Sequence, residues 1–399
     1  MLRNTGDLRL TAKVHNRVLL ALLALLSIAA LSMPLLTEAP NRLVSGHALA
    51  WATLLAGGPA PLLLLIPLCL LLALPFAPQD RRTHACVAVC ASVLLGGLAL
   101  LAGATAQRLA GDEDSLARVS FGGGFWVLAA LLCLMASDAI GRSGAARGTR
   151  IVMNALVFAP LVLLLADGRL GRLSILQEYA NRQDEFDQAV LRHLQILLLT
   201  LLPAVLLGVP LALAAARYRQ VRQALFPVLN LIQTIPSLAL FCLLLAPLAA
   251  LARRLPWLGA HGVSGIGMTP AVIALVMYSL LPLVRSIVAG LAQVPADTLE
   301  AAYAMGLTHG QVLLRVEVPL ALPAFLAGLR VTAVQAVGLT VVAALIGAGG
   351  LGGLVFQGLL SSALDLVLLG VIPVVALAVV VDSGFKLILA CVEVPHDRV

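Results

Sequence analysis

Apolar residues fall along this chain in long, nearly unbroken runs, with polar residues gathered between them. The runs lie near 18–36, 59–77, 85–106, 119–137, 151–166, 194–216, 228–250, 269–289, 324–346 and 366–390. A helix on a soluble protein keeps one face polar, whereas these runs are apolar all round. About 20 such residues carry a helix across a hydrocarbon layer roughly 30 Å thick. The pattern therefore predicts an all-α, polytopic membrane protein with about ten transmembrane helices. A basic stretch precedes the first run without a convincing small-residue cleavage site, so that run reads as a retained first helix.

Composition agrees. Of 399 residues, 61% are hydrophobic and 11% charged, and the mean hydropathy is +1.04, against roughly a quarter charged in soluble domains. The formal net charge of +7 raises nucleic-acid binding, but the basic residues occupy short loops and form no stripe, which is the pattern of topology signals. With the N-terminus inside, segments 1–17, 78–84, 138–150, 217–223, 290–323 and 391–399 hold fourteen basic residues and the outer segments nine. That bias predicts both termini in the cytoplasm of a multi-pass membrane protein surrounded by lipid. Arg253 and Arg254 are its clearest exceptions.

Little in the chain suggests chemistry. Cys86 and Cys90 share a helical face but lack nearby histidines or carboxylates, and read as small apolar packing residues rather than a metal site. His193, His261 and His309 fall between apolar runs and read as surface histidines. No Ser/His/Asp set or pair of acids lies on neighbouring faces, so no catalytic residue and no metal site is expected.

Three parts are distinguishable: additional N-terminal transmembrane helices in 1–166, an extracytoplasmic connecting segment in 167–193, and a region at 194–390 richer in polar and helix-perturbing residues. In the connecting segment, Leu173, Leu176, Phe186 and Val190 suit the apolar face of one or two short interfacial helices.

The inner loop 293–323 is too polar to span and too regular for a floppy linker. Asp297 suits a helix cap with Glu300 three positions on, a capping-box spacing. Ala301, Ala302, Ala304 and Met305 continue that helix, Gly306 supplies a sharp turn, and a second short helix follows from Gln311 to Val316. Pro319 and Pro323 limit regular hydrogen bonding as the chain returns to the membrane. A low knob of alanines beside Leu299, Met305 and Leu307 suits a groove on a cytoplasmic partner.

The residues EAAYAMG, followed after nine positions by VEVP, resemble the EAA loop of ABC importer permeases. Glu300, Ala301, Ala302, Gly306 and Pro319 match it, and Val316 and Val318 stand where isoleucine and leucine are usual. The segments NLIQTIPSLALF (230–241), MYSLLPLVRSIVAGL (277–291) and VGLTVVAALIGAGGLGGLVFQGL (337–359) resemble the permeases of osmoprotectant importers for glycine betaine, choline and related compounds, in a subgroup with longer chains. The resemblance covers about 194–390. It implies a type I permease core whose loop docks as a coupling helix on an ABC ATPase subunit, a second permease subunit (identical or paralogous), and an extracytoplasmic substrate-binding protein. It also implies that ATP and Mg are used by the partner ATPase, with no cofactor bound by this chain.

Several polar residues inside or beside the spans leave two readings each. Asn230, Gln233 and Thr234 open a transmembrane run; they either face the translocation route, or sit at the interface with Thr234 bonded back to its own helix. Gln335, isolated in mid-span, either bonds another helix or lines the route. Pro236 and Pro282 bend their helices for gating or for packing. Arg285 and Arg330 can snorkel, and Asp382 and Lys386, four apart, can pair. The glycines of 346–358 follow no strand and carry no GxxxxGK pattern, so they read as a tight outer loop and not as a phosphate-binding loop. An ion-coupled secondary transporter is the alternative, but membrane-embedded protonatable pairs and inverted repeats are not evident. Aromatic residues make up only 4%, which leaves little for an aromatic cage around a quaternary ammonium and assigns selectivity mainly to a binding protein.

Overall fold

The structure, a computed structural model, describes residues 14–41, 46–56, 60–109, 117–260 and 262–392. The basic stretch up to Lys13, Arg42, the acids Asp112, Glu113 and Asp114, His261 and the tail from 393 lie outside them. The chain divides into two compact units, Met1–Gln177 and Glu178–Val399.

In the first unit, α1 (Arg17–Ser32) is capped by Asn16, whose side chain accepts from the Leu19 amide. Pro34 ends the apolar run early, and the chain turns into β1 (Leu36–Ala39), the middle strand of a small antiparallel sheet with β2 (His47–Ala48) and β3 (Arg118–Phe121). The expected all-α class holds, and these short strands are an addition that the hydropathy pattern did not carry. They form because Thr, Val and Phe in short extended stretches pair where the helices stop. After α2 (Trp51–Leu55), the run 59–77 is broken by 3-10 turns at 60–64 and 74–76 around α3 (Leu65–Ala73).

Long helices α4 (Arg81–Leu109) and α5 (Gly123–Arg142) form the centre of this unit, burying Leu94, Leu95, Ala99, Leu132 and Met135. Two further helices, α6 (Arg147–Leu156) and α7 (Ala159–Ala166), are bent by 42°. The bend precedes Pro160, which has no N–H to offer, and the Ser92 hydroxyl donates to the Val157 carbonyl at 2.9 Å.

In the second unit α8 (Ser174–Asn181), whose first turn belongs to the other unit, leads to α9 (Gln183–Arg217). Phe186 and Val190, expected on a short interfacial helix, therefore lie in the first turns of a 35-residue helix. Then come α10 (Arg219–Thr234), α11 (Ser237–Arg254), α12 (Pro256–Ala260) and α13 (Met268–Ala292). The last is the axis of the unit, packed on α9 and, past the loop, on α16 (Val318–Ala343). Close approach depends on small residues, as expected between membrane helices. A Cβ placed on Gly328 would lie 1.7 Å from the Ser286 hydroxyl oxygen, and one on Gly290 would lie 2.6 Å from the Ala324 methyl.

Two buried clusters follow from this packing, one around Ile196, Phe241, Leu275 and Tyr278, the other around Ala212, Leu229, Leu283 and Val284. The chain ends in α17 (Leu351–Leu360) and α18 (Leu364–Val392). Before α17, Gly347, Gly349 and Gly350 all take φ near +80°, a conformation that glycine alone adopts without strain.

Among the described residues seven helices are long and apolar enough to cross a membrane, and the bent pair α6–α7 makes an eighth. The runs at 18–36 and 59–77 give shorter apolar helices, Arg17–Ser32 and Leu62–Phe76.

Candidate coupling surface and membrane route

The loop after α13 is a helical hairpin whose two corners are each fixed by local hydrogen bonds. Pro295, in extended conformation, stands at the N-cap of α14 (Ala296–Ala304), and no side chain caps this helix. Asp297 is not the cap that was expected. Pro295 at the N-cap places the helix start two residues earlier, and Asp297 sits in the first turn, where a carboxylate favours the helix dipole.

The helix ends in a Schellman turn. The Gly306 amide bonds the Tyr303 carbonyl (2.9 Å), the Leu307 amide bonds the Ala302 carbonyl (3.3 Å), and Gly306 takes φ +82°. The capping box occurs one helix later: Thr308 accepts from the Gln311 amide while the Gln311 side chain accepts from the Thr308 amide, opening α15 (His309–Val312). The T-x-x-Q spacing of Thr308 and Gln311 carries this signal in the sequence, beside the competing acidic pair at 297 and 300.

No break separates this second helix from the membrane. Residues 309–346 form one continuous helix with a π-turn at Leu313–Glu317. The irregular hydrogen bonding expected at Pro319 takes the form of the wider π-turn, closed by the Val318 amide on the Leu313 carbonyl, which relieves the clash of the proline ring with the preceding turn and leaves the helix unbroken. Ala302 and Val312 are buried where the hairpin closes. Glu300, Ala301 and Pro319 are exposed, and Tyr303 and Met305 project, Met305 with 74% of its surface open.

The four polar route candidates share no hydrogen bond with one another. Asn230, Gln233 and Thr234 do not open a span; they close the amphipathic α10, and the Ile235-Pro236 break separates them from the span beginning at Ser237. A hydropathy window merges the two helices because the end of α10 is apolar on one side. Asn230 accepts from Arg285 (3.1 Å), the Gln233 amide donates to the Tyr278 carbonyl (2.7 Å), and Thr234 bonds back to Leu231 (2.7 Å). The Tyr278 hydroxyl closes the joint by donating to the Ile235 carbonyl. Gln335 is half-buried in α16 and makes no hydrogen bond with the described residues.

Two further features were not anticipated. Arg330 does not snorkel freely: its Nε lies 2.9 Å from Asp382, which also binds Lys386 at 2.7 Å, so the expected pair is a triad joining α16 and α18. His193, read as a surface histidine, is fully buried and packs against Gly350. No local sequence pattern signals this burial, because the residues around His193 from Gln183 on are mostly polar and the packing partner lies at Gly350. His309 is exposed, with Nδ1 3.0 Å from the Tyr303 hydroxyl.

A membrane-embedded helical unit carrying a rigid, exposed hairpin on one end is the form of a transport subunit driven from outside the membrane. Residues 204–390 match the model described as "Binding-protein-dependent transport system inner membrane component", and residues 15–176 match "ABC transporter permease YehY, N-terminal domain". The chain belongs to the family of binding-protein-dependent, multi-pass permease subunits of ABC importers.

Its relatives are specific. It is 37% identical over 198 residues, 49% of this chain and 79% of the relative, to a glycine betaine/carnitine/choline transport system permease protein, OpuCD, of Bacillus subtilis. It is 37% identical to the osmoprotectant import permease protein OsmW of Salmonella typhimurium, over 48% of this chain and 84% of that one. With the glycine betaine/proline betaine permease ProW of Escherichia coli it shares 31% identity, over 56% and 55% of the two chains. A solved chain of the MetNI methionine ABC transporter matches 54% of this chain and 99% of its own length, with a TM-score of 0.46 and 21% identity.

Proposed function

We propose that this chain forms the membrane route of an ATP-driven importer for osmoprotectants such as glycine betaine, and couples that route to a separate ATPase through Glu300, Ala301, Ala302, Gly306 and Pro319. The carrying observation is the hairpin. Its buried side, Ala302 and Val312, makes it stiff, and its open side presents Glu300, Ala301, Tyr303 and Met305 to a partner. A stiff knob continuous with a spanning helix turns movement of a docked partner into movement of the span.

In this reading the hairpin and both termini face the cytoplasm of a cell with this chain in its inner membrane. ATP and Mg are bound by the partner ATPase subunits, a second permease subunit (identical or paralogous) completes the route, and an extracytoplasmic binding protein delivers the solute. Closure of the ATPases on ATP opens the route outward, and hydrolysis resets it. The permease needs only weak affinity for the solute, since release follows reopening. Asn230, Gln233, Thr234 and Gln335 remain the candidate route residues. Gln335 is the strongest, because a half-buried amide without a protein partner is costly in hydrocarbon and favoured beside water. The relatives' stated substrates, choline, carnitine and the betaines, support a quaternary ammonium solute.

The test is uptake of radiolabelled glycine betaine into proteoliposomes holding this chain with its ATPase and partner permease, binding protein outside and ATP within. Glu300→Ala and Gly306→Pro should lower uptake while the complex still assembles. A verified, ATP-hydrolysing complex that accumulates no glycine betaine would remove the substrate assignment; uptake driven by an ion gradient without ATP would remove the coupling mechanism.

A further inference from the structure

Between Asp187 and Asp297 the chain has no acidic residue, yet it carries seven arginines there. Four of them, Arg217, Arg219, Arg222 and Arg285, lie toward the ends of α9, α10 and α13 that adjoin the coupling hairpin. None of the four makes an ion pair with the described residues; Arg285 is bonded only to the neutral Asn230. Unneutralised arginines this dense repel one another, and a bound anion would relieve them.

Arg222 and Arg285 flank a pocket of about 280 Å³ whose other walls are Phe226, Val288, Ala289 and Ala292. The lining combines two guanidinium groups, each able to hold two oxygens of one phosphate, with ring, methyl and isopropyl groups. The pocket has no carboxylate in its wall. The small side chains of Ala289 and Ala292, one turn apart on α13, leave the space open.

We propose that this pocket binds the phosphate of an anionic phospholipid, with the glycerol and the start of the acyl chains against Phe226 and Val288. The placement favours lipid over an acidic protein surface. α10 is amphipathic, and it leaves Val228 and Leu231 more than half exposed on its outer side, which is how a helix lies in the membrane interface. Arg285 stands seven residues before the end of α13, about 10 Å down the helix axis, beyond the reach of a flat partner docked on the hairpin. The leaflet concerned rests on the orientation proposed above, but the site does not.

The experiment is native mass spectrometry of the full chain released from bilayers of mixed phosphatidylglycerol and phosphatidylcholine. The wild type should retain phosphatidylglycerol preferentially. With roughly fivefold for each arginine near an anionic headgroup, the double variant Arg222→Gln/Arg285→Gln should lose about thirtyfold of that preference. Arg253→Gln/Arg254→Gln, with the same change in net charge, should keep it. Ala289→Leu fills the pocket and leaves both charges, and should weaken retention as well.

Unchanged preference in Arg222→Gln/Arg285→Gln or in Ala289→Leu, or equal loss in the Arg253/Arg254 control, overturns the proposal. Displacement by inorganic phosphate alone would make this an ion site, and expulsion of lipid by the ATPase subunit would make it a protein contact; either result also overturns it. The readout needs no transport, so failure of the uptake assay leaves it interpretable.

Discussion

Gly328 offers the sharpest test of the helix packing at the centre of the permease unit. A Cβ at this position would fall 1.7 Å from the Ser286 hydroxyl oxygen and 2.4 Å from the Ser286 Cβ. Rotating the serine moves the oxygen but not the Cβ, and carbon atoms in contact sit about 3.5–4.0 Å apart. In Gly328→Ala, α13 and α16 must therefore separate by about 1 Å or shift in register.

Overpacking of this kind costs about 1–3 kcal/mol, which at roughly 2–4 °C per kcal/mol predicts a melting temperature lower by several degrees in detergent. Ser286→Gly removes the two obstructing atoms, and the next neighbour, the Pro282 carbonyl oxygen, lies 3.5 Å away in ordinary contact. Ser286→Gly costs about 1 kcal/mol as a helix glycine, and the double variant should be no less stable than that single one. The cycle would be read from thermal unfolding of purified protein, with strong favourable coupling expected between the two sites. A Gly328→Ala protein as stable as wild type, or two penalties that simply add, would refute the close approach of these helices.

Asp382→Asn leaves Arg330 and Lys386 facing each other without their shared carboxylate, and should lower stability to mixed-detergent unfolding by about 1 kcal/mol, the upper end for partly exposed pairs. Lys386→Gln, which keeps the Arg330–Asp382 bond, should cost less; the reverse order would contradict the triad. Thr308→Ala removes the cap of the second hairpin helix and should cost about 1 kcal/mol locally. Faster amide exchange confined to 308–312 is the expected signature, and exchange unchanged there would argue against the capping box.

How much of this was readable beforehand depended on the scale of the signal. Spanning helices such as 269–289 and 366–390 were legible because hydropathy alone decides them. The hairpin was legible because Gly306 and the alanines before it leave few alternatives to a tight turn between two helices. Misreadings occurred where two local signals competed. Pro295 and Asp297 both mark helix starts, and proline prevailed because its fixed φ already suits the first turn. The stretch 228–250 read as one span because its apolar content hid the Ile235-Pro236 break, and with it the amphipathic face of α10. Burial of His193 and the contact of Arg330 with Asp382, 52 positions away, are products of tertiary packing; no local pattern carries them.

The π-turn at Leu313–Glu317 makes the coupling helix sensitive to length. A π-turn holds one residue more than the α-helix it interrupts, and each residue advances the helix by about 100°. Deleting a single residue within 313–317 would remove that extra residue, press the Pro319 ring against the preceding turn and shift Glu300, Tyr303 and Met305 around the axis of α16. The docking face would point elsewhere, and the short link Gln293–Pro295 would carry the strain to α13. Transmission from ATPase to route is therefore a matter of angular phase, and composition of the loop cannot compensate for a change in its residue count.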